Sequence, residues 1–122
     1  MAEYLILIYE DENSYATATP DVFQQVMEAH NRFAQQVGEK GGKLVAGNAL
    51  QPTSTATTIR SDVVTDGPFV ETKEVVGGFA ILEAKSKEEA IALTKRFLAV
   101  HADEWDVECE LRPLEGPEFG RS

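Results

Sequence analysis

Few groups in this sequence can do chemistry, and one of them stands where an apolar residue is expected. His30 interrupts the series Phe23, Val26, Met27, Phe33, Ala34 and Val37, whose helical spacing puts them on one face. A histidine in such a stripe is at least half-buried. It fits two readings: a core histidine satisfied by a backbone carbonyl, or a general acid/base lining a pocket between helix and sheet. A carboxylate that orients the imidazole would complete a proton-transfer pair. Asp66 is the candidate. It opens the run Asp66-Gly67-Pro68-Phe69-Val70-Glu71-Thr72-Lys73-Glu74, which Gly77-Gly78-Phe79 closes. Asp, Gly and Pro are also turn formers, so Asp66 has a purely conformational reading too.

The same run supplies groups that could meet a substrate. Phe69, Glu71 and Lys73 lie on a charged loop that is either solvated or folded against a pocket rim. Arg60 could bind a carboxylate bidentately, or pair with one of the many surface acids. Lys73 or Arg60 would then hold an anionic substrate. His101-x-Asp103 has two of the ligand types a metal needs but no third, so no metal site is expected. Cys109 alternates with Val107 and Leu111 and reads as a small buried hydrophobe rather than a nucleophile.

Composition narrows the function classes. There is no glycine-rich phosphate loop, no Gly-x-Ser-x-Gly elbow and no zinc-binding His/Glu helix. Nucleotide-dependent chemistry and serine hydrolysis are disfavoured, and no cofactor is expected. The formal net charge of −10 repels phosphate backbones, so nucleic acid is not an expected partner. No apolar run approaches the roughly 18 residues that span a bilayer, and no signal segment is visible. With a single cysteine as well, the expected location is the cytoplasm.

These groups must be positioned by a small set of elements. A chain of 122 residues fits one domain, expected over residues 1–114 with a loose tail at 115–122. Tyr4 to Tyr9 reads as a strand apolar on both faces, hence central and covered on both sides. Thr19-Pro20 opens a helix that Gly38 and Gly41-Gly42 end. Strands follow at Lys43 to Leu50 and Thr55 to Arg60, the latter turning at Ser61-Asp62 into Val63-Val64-Thr65. The Asp66 to Gly78 block reads as an elaborate loop before a strand at Phe79 to Ala84.

Ser86 and Glu89 form a capping box for a second helix, whose expected buried face is Ala90, Ile91, Thr94, Phe97 and Leu98. Asp106 to Arg112 is the last strand. Without the inserted hairpin the order is βαββαβ, the ferredoxin-like α+β fold. Its helices cover one sheet face. The apolar residues on the other face predict a homodimer with sheets face to face.

The block Thr65-Asp66-Gly67-Pro68-Phe69-Val70-Glu71-Thr72-Lys73-Glu74 with Gly77-Gly78-Phe79 resembles the signature of the YCII-related, or DGPF-domain, family. Ala49-Leu50-Gln51-Pro52, Ala56-Thr57-Thr58-Ile59-Arg60 and Glu110-Leu111-Arg112-Pro113-Leu114 extend the likeness, which covers Tyr4 to Leu114. The resemblance implies a ferredoxin-like fold assembled as a dimeric α+β barrel. It also implies an enzymatic activity with a histidine of the first helix at the site, and His30 matches in placement. The chain departs from shorter members, which carry an Asp-Pro near the end of the second helix. Here that stretch reads Arg96-Phe97-Leu98-Ala99-Val100-His101. Asp66, His101 or Asp103 would have to stand in. Some members are similar to partners of extracytoplasmic-function sigma factors, which implies a regulatory role.

Two functional expectations follow. One is a small cofactor-independent enzyme with His30 as general acid/base, Asp66 orienting it, and Arg60, Phe69, Glu71 and Lys73 at the substrate. The other is a metabolite-binding or regulatory dimer, acting with a sigma factor. A third, purely structural role would leave His30 and Asp66 as stabilising residues.

Overall fold

A computed structural model of the chain describes residues 2–12, 19–70, 72, 74–101 and 107–115. The described elements are β1 (Ala2–Asp11), α1 (Pro20–Glu39), β2 (Lys43–Ala49), β3 (Thr57–Arg60), β4 (Val63–Asp66), β5 (Glu74–Ala84), α2 (Lys87–His101) and β6 (Val107–Pro113). A 3-10 turn, Thr53–Thr55, stands between β2 and β3. β1, β2, β5 and β6 form one antiparallel sheet in the order β2-β5-β1-β6, and β3 and β4 form a separate two-stranded ribbon. This is the ferredoxin-like α+β arrangement with an inserted hairpin. The apolar first strand is central, as its sequence requires.

Both helices pack on one face of the sheet. Tyr4, Ile6, Leu82 and Ala84 from the central strands meet Phe33 and Val37 of α1, and Ala90, Leu93 and Phe97 of α2. Burying each large apolar side chain contributes about 1.5–3 kcal/mol before entropy is counted. The Phe33 and Phe97 rings meet edge-on, 5.2 Å apart at 63°. Pro20 is the first residue of α1, where its missing N–H costs nothing. The chain turns out of the helix at Gly41, φ 80°, with Gly42 N–H donating to Val37 O at 3.0 Å and Gly41 N–H to Gly38 O at 3.1 Å. That pair of bonds needs a left-handed residue, which glycine adopts without strain.

Several local expectations change. Among the described side chains of α1 the buried ones are Ala29, Phe33 and Val37, with Met27 59% exposed and Ala34 exposed; the side chains of Phe23 and Val26 lie outside the described residues. In α2, Leu93 takes the buried place expected for Ile91, which faces solvent. Only half of the capping box closes: Ser86 Oγ accepts the Glu89 N–H at 3.1 Å, but Glu89 Oε1 is buried with no partner. The largest change is at Glu74–Gly78. These residues are not loop but the first half of β5, which runs alongside β1 to pair Glu74 with Asp11. The sequence expectation stopped too early because β1 is longer than its apolar centre. Pro113, expected just past the last strand, is its final residue.

Candidate functional site

The central sheet is irregular at two points, and both border one cavity. In β1/β5 the register shifts between Ile8 and Tyr9, leaving Gly77 as an extra residue between Gly78 and Val76. In β2/β5 it shifts between Leu44 and Ala46, leaving Val45 as the extra residue. Such bulges bend a strand and re-aim the side chains beside them. The cavity has a volume of about 470 Å³ and lies between α1 and this end of the sheet. Its floor is made of small residues, Gly47, Ala49, Gly77, Gly78 and Ala80, with Ile8 and Leu44. Met27, His30 and Phe33 of α1, Phe97 of α2 and Val107 of β6 complete the apolar wall.

Two ionisable side chains line it. His30 is half-buried, with its ring 5.3 Å from the Phe97 ring and tilted by 51°. An imidazole in that position can accept a proton from, or return one to, a molecule in the cavity. Glu10 is the other, and sequence reasoning missed it. Tyr4, Ile6 and Ile8 lead to Glu10 at every second position of β1, so Glu10 extends the helix-facing row. That alternation was the available signal: an acid stands where the row calls for an apolar side chain. Its carboxylate lies over Gly77, where any Cβ would collide with it. Burial, and secondarily the charge of Glu12, hold the Glu10 carboxyl above the ordinary carboxylate range.

The bulge is tied in place from outside. Leu50 N–H donates to Gly77 O at 2.8 Å. Glu12 accepts the Thr53 hydroxyl at 2.7 and 2.9 Å, joining the end of β1 to the 3-10 turn beyond β2.

The DGPF run lies elsewhere. Asp66 is exposed on the β3–β4 ribbon, paired across it with Thr57, and does not line the cavity. His30 lines the cavity and Asp66 does not. Gly67 folds the turn back onto the ribbon: its N–H donates to Ala56 O, and its carbonyl accepts the Thr58 hydroxyl, both at 2.8 Å. Phe69 is 68% exposed, and the Arg60 guanidinium stands over its ring, 5.2 Å from the centroid. Arg60 and Phe69 therefore occupy each other and lie outside the cavity lining. Glu71, Lys73 and Asp103 fall outside the described residues, as does the side chain of His101.

Cys109 is half-buried against the core, and burial pushes its thiol up to about 11. That suppresses the thiolate and agrees with a packing role. No group of three or more His, Cys, Asp or Glu among the described residues is placed to hold a metal ion. No helix among them is long and apolar enough to cross a membrane.

Comparison with known proteins adds two findings. The model of the YCII-related domain matches residues 2–108. An uncharacterised protein of Rhizobium meliloti (strain 1021) is 34% identical over 92 residues, covering 72% of this chain and 73% of that protein.

Proposed function

The chain belongs to the YCII-related family, and from that premise we propose that it acts on a small molecule bound between α1 and the sheet, with His30 as general acid/base. One observation carries the reading: a half-buried imidazole lines an open, mostly apolar cavity large enough for a small ligand. A neutral imidazole takes a proton from one ligand atom, and the imidazolium returns it to another. Such an isomerisation balances without a co-reactant. Small floor residues leave room for the ligand, and Phe97, which also meets the Phe33 ring, packs against the imidazole.

The active particle is proposed to be a homodimer. Alternation places Leu5, Leu7 and Tyr9 of β1 and Phe79 and Ile81 of β5 on the face without helices. A second sheet would cover that face. At its edge Tyr9 donates to Glu110 Oε1 at 3.1 Å, and Arg112 meets Glu110 Oε2 at 3.4 Å. Light scattering on the eluting peak tests this directly: a one-chain particle at micromolar concentration rules the dimer out.

The test of the reading is an NMR pH titration of His30, with and without benzyl alcohol as a small neutral probe. A reacting imidazole must titrate in contact with water and shift when the probe enters. An imidazole that stays silent between about pH 5 and pH 8 and ignores the probe is a core residue, and the enzyme reading falls. The second reading, a metabolite-binding regulator, draws support from the scarcity of polar groups in the lining. It predicts that His30→Gln keeps probe affinity and that no proton exchange into bound ligands is catalysed by the wild type.

A further inference from the structure

The cavity contains a carboxylate that the His30 chemistry does not use. Glu10 sits on the helix-facing row of β1 and shares the lining with His30. Its position is built. The bulge at Gly77 opens the space its carboxylate fills, and the bond from Leu50 N–H to Gly77 O holds that bulge. Among the described residues no side-chain hydrogen bond or ion pair engages the Glu10 carboxylate. A half-buried carboxylate with no counter-charge among the described residues is costly, and a ligand that supplies a donor or a positive charge removes that cost.

The surroundings set the sign of that ligand. Among the described residues no lysine or arginine lines the cavity. The chain as a whole carries a net charge of −10, which repels anions on approach. The remaining lining is mainly apolar.

We propose that Glu10 is a ligand-contacting residue of this cavity and selects a cationic or neutral, mainly apolar small molecule bearing a hydrogen-bond donor over an anionic one. This rests on the cavity being the ligand site. It also reverses the sequence expectation of an anionic substrate held by Arg60 or Lys73. The raised pKa of the Glu10 carboxyl, caused first by burial, agrees with a group waiting for such a partner.

Benzylamine, benzyl alcohol and benzoate present one ring with three charges. Their affinities for the full chain are measured at about pH 8 from backbone and His30 shifts in NMR titrations. Benzylamine is expected to bind about tenfold or more tighter than benzoate, with benzyl alcohol between them. Glu10→Gln should collapse that order to within about twofold. Gly77→Ala, which keeps the charge but displaces it, should narrow the order as well. If all three probes shift His30 with equal affinity, or benzoate binds tightest, Glu10 selection is overturned while the cavity stands. If none shifts His30, the cavity reading itself fails and the selection proposal fails with it.

Discussion

One face of the sheet is solid at one end and hollow at the other, although the same strands and helices build both ends. At the solid end Tyr4, Leu82 and Ala84 lie under Val37, Ala90 and Leu93, and Leu82 and Val37 are fully buried. At the hollow end β5 presents Ala80, Gly78 and Gly77, β2 presents Gly47 and Ala49, and α1 places Met27 and His30 above them. The cavity is thus made by leaving side chains out rather than by a separate architectural element. Close packing is concentrated in one half of the helix–sheet layer, which leaves the other half open and irregular.

Mutations at the two ends should behave differently, and the solid end should give the largest effects. Leu82→Ala is expected to lose about 2–5 kcal/mol, read from urea unfolding. A loss below about 1 kcal/mol would mean that this end is not the anchor. Ala80→Leu adds bulk at the hollow end, where space already exists. It should change stability by less than about 1 kcal/mol while abolishing the effect of benzyl alcohol on His30. A large stability loss there would show the floor to be tightly packed in solution.

The polar side of the comparison can be sharpened by pH. Unfolded Glu10 titrates in the ordinary carboxylate range, and in the fold burial first and Glu12 second raise its pKa. Between those values the folded chain holds a proton that the unfolded chain has released. Its contribution to stability is fully present below the ordinary range and is lost as pH rises through the folded pKa. Glu10→Gln should therefore gain stability relative to wild type on going from about pH 3 to about pH 8. A difference that stays constant over that range would place Glu10 in water.

The smallest effects belong to the β3–β4 ribbon. Arg60→Ala should cost less than about 1 kcal/mol, because its contact with Phe69 is exposed. Asp66→Asn should leave the His30 titration midpoint unmoved. A shifted midpoint would mean that the ribbon reaches a cavity in solution, whether its own or that of a second chain.

The solid end was largely legible in the sequence. The doubly apolar first strand, the glycine stop after α1 and the βαββαβ order all rest on regular periodicity. The hollow end was legible only in part. His30 stood out because it broke a helical stripe. Glu10 did not, because an acid beside an apolar strand centre looks like the point where the strand meets solvent. Gly77-Gly78 looked like a return turn for the same reason: a bulge breaks the alternation that identifies a strand. In α2 the propensities alone could not choose between Ile91 and Leu93, since the choice depends on how the helix is rotated against the sheet. Asp66 was prominent through its neighbours Gly67 and Pro68, and the hydrogen bonds of Gly67 serve the ribbon turn.

The carboxylate of Glu10 fills the volume that a Cβ at position 77 would claim. Two positions on different strands therefore share one allotment of space, and a side chain at the second turns the carboxylate at the first out of its present place. Among related chains, an acid at the first position should travel with glycine at the second. A chain that has gained a side chain at the second should hold any acid at the first turned away from the cavity, with a weaker preference for the charge of what enters.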